Sequence, residues 1–357
     1  DNEIEGARYI LLNISSGDKE VTMDEVTVIT DYIQQEAGLS ADLIWGNCTD
    51  ETLGDKLAVT IIATGFQTME ERQQSRSQAT NFHTDFAVEV IGVTLDDVHK
   101  EGVQRRLQYL WLKHQVLLFR NLDTENEQRL AGLSKVFGRL EVHSRIEYLS
   151  NQVPELLYIS NVKEGGRKIG ALGDGEAGWH TDQTYRPTPA LGSLLAAHVI
   201  PPEGGNTSFA DMYRAYDALP EELKHRISGL KAVHSYEHFN EQYSEPSNSK
   251  QKADGTVQTH PVVRTHPITG RKAIYCPKSV VPYIVGLSPQ ESQALIEEIH
   301  ERSFRPEFVY EHKWSLGDGV LWDNAAAMHR RDTWDPAFPR LMKRTTIRPP
   351  EDLAVPF

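Results

Sequence analysis

A histidine followed two residues later by a carboxylate is the simplest spelling of a metal clip. In a strand, residues i and i+2 project from one face, so both side chains can reach one ion. The chain spells this three times, at His83/Asp85, His99/Glu101 and His180/Asp182; with 14 histidines and 51 acids in 357 residues, chance gives 14 × 51/357 = 2.0. The spelling selects nothing and the surroundings must choose. His180/Asp182 sits in GEAGWHTDQTYRPTPALGSLLA, between a tryptophan and a run that reads as a buried strand. Far downstream, MHRRD carries His329, which taken alone reads more readily as a surface histidine beside Arg330 and Arg331. PRLMKRTTI then reads as a strand in which Arg340, Met342, Arg344 and Thr346 share one face. Two arginines on an inward face are costly to bury unless each meets an anion, which points to a pocket for small anions. The competing reading is an exposed edge strand with solvated arginines.

A second spelling is a decoy. Gly173, Gly175 and Gly178 satisfy G-x-G-x-x-G, but Trp179, His180, Thr181 and Asp182 follow, then Pro187 and Pro189. The dinucleotide fingerprint needs a helix N-terminus at that place, so no such site is expected.

The elements that must position these residues are strand-rich. Buried-strand runs fall at 116–119, 156–159, 192–198, 262–265, 308–310 and 320–322, with helical stretches at 101–113, 124–136, 212–218, 221–228 and 289–302. Many short strands between Pro/Gly turns predict a mainly β core dressed with helices. The polar stretch 237–256 predicts a mobile loop, suited to an active-site lid. Upstream the plan differs. Strands are expected at 9–14, 41–45 and 57–64, with an amphipathic helix at 22–37, which together describe a small α/β domain. Residues 1–82 hold 5 Lys+Arg against 15 Asp+Glu and no histidine, whereas the remainder holds 32 against 36 and all 14 histidines. So sharp a shift marks a domain boundary, with the polar stretch 67–82 as linker.

The overall net charge of −14 disfavours nucleic acid, which needs clustered Lys and Arg. No window approaches 18 consecutive apolar residues and residues 1–8 are no signal peptide, so no membrane partner is expected. Two cysteines, Cys48 and Cys276, build neither a disulfide framework nor a cysteine-based zinc site, and a cytoplasmic location is expected.

Two resemblances organise the rest. The segments IEGARYILLNISSG, TMDEVTVITDYIQQEAG, ADLIWGNCTDETLGD and AVTIIATGF resemble the C-terminal domain of the bacterial tubulin homologue FtsZ over about residues 4–66. The glycine-rich phosphate loop of that family's nucleotide-binding half is missing here, so the resemblance implies no GTPase. It implies either a fusion partner, the favoured reading, or a domain that docks onto filaments. From about residue 83 to 347 the chain resembles the TauD/TfdA family of Fe(II)- and 2-oxoglutarate-dependent dioxygenases. The matching pieces are VEVIGVTLDD, HQVLLFRNL, FGRLEVHSR, WHTD, PPEGGNTSFADM, GDGVLWDN, MHRRD and RLMKRTTI.

This second resemblance implies a double-stranded β-helix, or jelly-roll, core over residues 83–357 and a role for each matching residue. His180, Asp182 and His329 match the family's iron-binding facial triad, which leaves positions for 2-oxoglutarate and O2. Arg340 matches the arginine that pairs with the far carboxylate of 2-oxoglutarate, and Thr207 the hydroxyl that assists it. Arg344 and His143 match positions that face the substrate's acidic group in members acting on anions, and Tyr185 and Phe209 are expected as pocket walls. Related halogenases lack a carboxylate at the position of Asp182, so keeping it favours hydroxylation, with desaturation or C–heteroatom cleavage left open. Glu176 stands where some relatives carry asparagine, and no role follows for it.

The implied reaction oxidises a C–H bond of a small organic anion and releases succinate and CO2. A homo-oligomer is left open. Two rivals remain: a cupin-like metal hydrolase or isomerase, and a non-enzymatic module that binds FtsZ filaments.

Overall fold

The computed structural model describes residues 9–19, 21–37, 42–64, 85–172, 177–241 and 257–350. Contacts divide the chain into two compact units, Asp1–Asn81 with Lys100–Tyr109, and Phe82–His99 with Leu110–Phe357. In the first, Tyr9–Ser16 is the central strand of three, parallel to Asp42–Thr49 and antiparallel to Leu57–Thr64. A parallel neighbour requires a crossover, and the helix Met23–Ala37 supplies it. Thr22 and Glu25 open that helix with a reciprocal capping box, Glu25 N–H to Thr22 Oγ1 and Thr22 N–H to Glu25 Oε2. Alternation along the central strand turns Ile10, Leu12 and Ile14 to one face, where Val26 and Ile33 of the helix meet them.

The second unit is a sandwich of two sheets. The larger runs Ala171–Leu172, Leu156–Ser160, Leu341–Arg348, Gly192–Val199, Gly319–Asp323, Val116–Phe119, Ala87–Glu89, with Arg139–Leu140 also paired to Leu341–Arg348. The smaller runs Ala177–His180, Ala327–Arg331, Thr207–Asp211, Val309–His312. Leu118, Leu195, Trp322 and Met342 from the larger sheet share a core with Phe209 and Ala327 from the smaller. The opposite face of the smaller sheet presents Ala210 and Met328 to a second core, shared with the helices Met212–Asp217, Glu221–Ile227 and Pro289–Ser303. Two-residue alternation thus sends Met328 outward and both Ala327 and His329 inward, which places His329 between the sheets.

Expected strands at 57–64 and 116–119 form with those bounds, and the others agree within a few residues. Three expectations change. Leu341–Arg348 lies between two strands, Leu156–Ser160 and Gly192–Val199, so the edge-strand reading fails. Arg340 precedes that strand rather than belonging to it, yet its side chain is buried. The stretch expected as a loop from 237 opens instead as a short helix, Tyr236–Asn240, capped by Ser235; residues 242–256 lie outside the described residues, as do the linker and Glu176. Among the described residues no helix is long and apolar enough to cross a membrane.

The sandwich packs closely where Gly192 begins its strand. A Cβ there would stand 2.5 Å from the Trp111 ring and 2.7 Å from the Trp322 carbonyl oxygen, and a backbone carbonyl in a paired strand has no room to retreat. Gly192→Ala is expected to destabilise the protein by about 1–3 kcal/mol. Calorimetry should record a fall of several degrees in Tm, and an unchanged Tm would contradict the packing described.

Candidate active site

His180 is the last residue of Ala177–His180, and His329 lies in the neighbouring antiparallel strand directly across from it. Their rings stand 4.2 Å apart between centroids. Asp182 joins them from the turn after the strand, not from the strand itself. The same-face argument for His180/Asp182 therefore does not describe the local geometry, although the two side chains do come together. Asp182 Oδ1 is 3.9 Å from His180 Nε2 and 3.7 Å from His329 Nε2, and the ligating atoms of all three lie within 4.8 Å of one another.

The donor set suits a cation. His180 Nδ1 is 2.7 Å from the Gly178 carbonyl, which accepts its proton and leaves the Nε2 lone pair facing the carboxylate. Burial lowers the pKa of His180, against the opposing pull of Asp182, and lowers that of His329 further, aided by His180. Both rings are neutral at pH 7. Burial alone would raise the pKa of Asp182, but the Arg344 cation above all, with the Ser193 hydroxyl, overrules it and holds the carboxylate ionised. Three buried donors thus converge with lone pairs and one negative charge, and no bridging proton or protein cation stands between them. That composition fits iron(II), whose two-His-one-carboxylate face is a standard donor set.

The turn that carries Asp182 is held from several sides. Asn324 Oδ1 accepts from Thr181 Oγ1 at 3.1 Å, from the Asp182 N–H at 3.3 Å and from Trp322 Nε1 at 2.9 Å. The outer oxygen of Asp182, Oδ2, accepts from Ser193 Oγ at 2.9 Å and pairs with Arg344 Nη2 at 2.6 Å. Gln183 takes a positive φ of 56°, sparse territory for a residue with a side chain, and its amide and Arg186 both donate to Glu141 Oε1. Neither Ser193, Asn324 nor the Gly178 carbonyl was picked out from sequence. Asn324 lay in the WDN of the quoted block, but nothing local marks its carbonyl as the acceptor for a turn 142 residues away.

Two cavities open from the donor set. One is lined by His180, His329, Thr207, Arg331 and Arg340, with Leu195 and Trp322 as apolar walls. Arg340 is only 1% exposed, and its Nη2 donates to the Gly205 carbonyl while its Nε meets no acceptor. Burial, with Arg331 beside it, pulls its pKa down to about 9. No carboxylate pairs with it among the described residues. Thr207 is buried, and its Oγ1 accepts from Trp314 Nε1 at 3.1 Å, which leaves the hydroxyl proton available to the cavity. Trp314 therefore orients a polar group.

The other cavity is lined by His143, Arg145, Arg344 and Tyr185 as well as His180 and Asp182, and is closed by Tyr236, Phe239 and Val280. His143 Nδ1 accepts the Arg145 N–H at 3.1 Å, so Nε2 carries the ring's proton. Burial, then Arg344, Arg186 and Arg145, drags the pKa of His143 down to about 3. Burial also raises that of Tyr185, whose ring packs edge-on against Tyr236. His143, Arg344 and Tyr185 thus share one cavity and Thr207 and Arg340 the other, with Arg344 and His180 reaching both. Phe209 is core beneath His329 rather than a lining residue of either cavity.

A two-sheet β sandwich with two histidines and a carboxylate converging between the sheets is the architecture of a mononuclear non-haem iron oxygenase. Comparison with known proteins is more specific. The family model "Taurine catabolism dioxygenase TauD, TfdA family" matches residues 75–346, and the chain belongs to that family. The model of the FtsZ family C-terminal domain matches residues 1–67. The (S)-phenoxypropionate/alpha-ketoglutarate-dioxygenase of Sphingobium herbicidovorans is 34% identical over 277 residues, 73% of this chain and 91% of that protein. The alpha-ketoglutarate-dependent 2,4-dichlorophenoxyacetate dioxygenase of a Burkholderia species is 35% identical over 247 residues, 65% of this chain and 80% of its own length. The crystal structure of AAD-2 with Mn(II) and N-oxalylglycine superposes with a TM-score of 0.64 at 33% identity, covering 77% of this chain and 98% of that one. The protein is a 2-oxoglutarate (alpha-ketoglutarate)-dependent dioxygenase, an enzyme class that uses Fe(II), 2-oxoglutarate and O2.

Two outcomes follow from the geometry. Asn324→Ala removes the acceptor shared by the Asp182 turn and is expected to weaken Fe(II) or Mn(II) binding about 10- to 100-fold, read by calorimetric titration. Unchanged affinity would mean that Ser193 and Arg344 suffice to hold the carboxylate. For His143 the folded pKa is depressed, so the unfolded chain takes up a proton that the native chain refuses between roughly pH 6.5 and pH 3. The ring's contribution to stability is therefore full above that window and lost as pH falls through it. Ring nitrogen NMR shifts should report a neutral His143 down to about pH 5, whereas a midpoint near the ordinary histidine value of about 6.5 would mean that water reaches the ring.

Proposed function

We propose that the enzyme oxidises a C–H bond of a small organic anion, by hydroxylation first, with succinate and CO2 as co-products. His180, Asp182 and His329 would hold Fe(II), Arg340 and Thr207 the far carboxylate of 2-oxoglutarate, and Arg344, His143 and Tyr185 the substrate. We read residues 83–357 as the catalytic domain with a double-stranded β-helix core, 67–82 as a linker, and 1–66 as an appended α/β module. Two free cysteines, Cys48 exposed and Cys276 buried, suit a reducing cytoplasm.

The observation that carries this reading is Arg340, a guanidinium buried in the cavity that contains the two histidines, with no carboxylate paired to it among the described residues. Such a charge costs several kcal/mol unless an anion meets it. A dicarboxylate with one end at the metal donors and the other at Arg340 supplies that anion. Bound iron would supply the reduction of O2 coupled to loss of CO2 from 2-oxoglutarate, which gives an oxidant able to attack an unactivated C–H bond. The chain's own residues do the rest. Arg340 offers a planar fork to a carboxylate, and Thr207, pinned by Trp314, adds a hydroxyl donor. On the substrate side the neutral His143 offers its Nε2–H to an acidic group, beside the cations Arg344 and Arg145. Tyr236, Phe239 and Val280 close that cavity with apolar surface and exclude water from the reacting bond. The substrates after which relatives are named, phenoxypropionate and 2,4-dichlorophenoxyacetate, are carboxylates, which supports an anionic substrate here.

The test begins with anaerobic visible absorption of the metal-free protein titrated with Fe(II) and then 2-oxoglutarate. A weak charge-transfer band in the green is expected, and its absence with iron verifiably bound would reject 2-oxoglutarate as ligand. Succinate release is then measured with 2-phenoxypropionate, 2,4-dichlorophenoxyacetate and taurine, and turnover of neutral or cationic compounds alone would reject the anion reading. Arg340→Ala should cost about 2–4 kcal/mol of 2-oxoglutarate binding, roughly 30-fold or more in apparent KM. An unchanged KM would remove Arg340 from that role.

A further inference from the structure

Arg344 has one guanidinium and two claims on it. Its Nη2 lies 2.6 Å from Asp182 Oδ2 and 3.2 Å from Ser193 Oγ, and Ser193 in turn donates to the same carboxylate oxygen at 2.9 Å. Asp182 is buried and Arg344 largely so, their side chains 5% and 12% exposed. Yet Arg344 also lines the cavity of His143 and Tyr185, and its Nε meets no acceptor. The cation assigned to the substrate's acidic group is therefore already the counter-charge of the carboxylate whose other oxygen faces the two histidines.

A buried positive charge one carboxylate away from a dication raises the energy of that dication, and in a site screened from water the effect is not averaged out by solvent. An anion resting on Arg344 offsets the charge. We propose that Arg344 couples substrate charge to metal retention: an acidic group docked on Arg344 tightens the hold of His180, Asp182 and His329 on the metal, and by linkage the metal tightens binding of the anion to the same extent. Arg344 is in this sense a positioning residue for the metal through Asp182, besides anchoring the substrate. The inference rests on the anionic-substrate reading for its second half only, because the charge effect on the metal exists without substrate.

The experiment measures Mn(II) binding to the metal-free full-length protein, by electron paramagnetic resonance of the unbound ion. Wild type is compared with Arg344→Gln, which keeps an amide donor for Asp182 but no charge, and with Arg344→Lys, which keeps the charge. Arg344→Gln is expected to bind Mn(II) about five- to tenfold more tightly than wild type, with Arg344→Lys within about twofold of it. A loss of a merely structural contact would weaken binding instead. Equal or weaker binding by Arg344→Gln overturns the proposal. In a second arm, wild type is titrated with Mn(II) in the presence of saturating 2-phenoxypropionate, 2,4-dichlorophenoxyacetate or taurine. The Mn(II) dissociation constant should fall several-fold with whichever anion binds. An anion that binds, by its own calorimetric isotherm, and leaves the Mn(II) constant unmoved overturns the coupling. If none of the three anions binds, it is the anionic-substrate reading that fails, and the comparison of Arg344→Gln with wild type still decides the charge effect.

Discussion

Two imidazole nitrogens and a carboxylate oxygen facing one another within 4.8 Å, all buried, are mutually repulsive, and only a framework that cannot relax keeps them so. Much of the second unit can be understood as that framework. His180 and His329 are paired across adjacent strands, so backbone hydrogen bonds rather than side-chain preferences set their spacing. Asp182 has no strand to fix it and is instead held through both of its surroundings: Asn324 grips the turn, while Ser193 and Arg344 grip the outer carboxylate oxygen. Ser193 and Arg344 sit on neighbouring strands of the larger sheet, whereas both histidines sit on the smaller one. The donor set therefore spans the gap of the sandwich, and the core packing that fixes the gap also fixes the donors.

The same gap concentrates positive charge. Arg340 and Arg331 lie on one side of the donor set, Arg344 and Arg145 on the other, although the chain as a whole is acidic. Glu141 and Asp182 offset part of this, through Arg186 and Arg344. Among the described residues the Arg340 guanidinium has a backbone carbonyl as its hydrogen-bonding partner and an open Nε. Net charge describes the surface and its partners, while the interior field is set by a handful of side chains whose placement composition does not reveal.

How far the site was legible follows from what kind of information each residue carries. The strand run 116–119 is visible because its burial is written in consecutive residues, whereas 57–64 is visible from its apolar, β-branched run although most of its side chains are exposed. Arg340 and Arg344 stand out because two arginines on an inward face are costly without an anion; the structure places the strand of Arg344 mid-sheet and Arg340 just before it, and both line the cavity of the two histidines. His329 was invisible on local grounds: its neighbours are arginines, and only its pairing across from His180, 149 positions away, makes it a candidate ligand. It entered through family resemblance. Ser193 and Asn324 entered through neither route, because a serine in a strand and an asparagine in a turn have many ordinary uses and acquire this one from sheet register.

Register also accounts for how the two cavities communicate. Both are bounded by His180 and by Arg344, so the two cavities share one wall. A rigid wall of this kind makes occupancy on one side felt on the other without any movement of the backbone. The shared residues are a donor atom and the cation that neutralises the neighbouring donor, and a charge arriving in either cavity changes the field at the point where the three donors meet. Order of binding in such a site is then a matter of electrostatics: an anion that meets Arg344 is stabilised by a cation whose other partner is the carboxylate of the donor set.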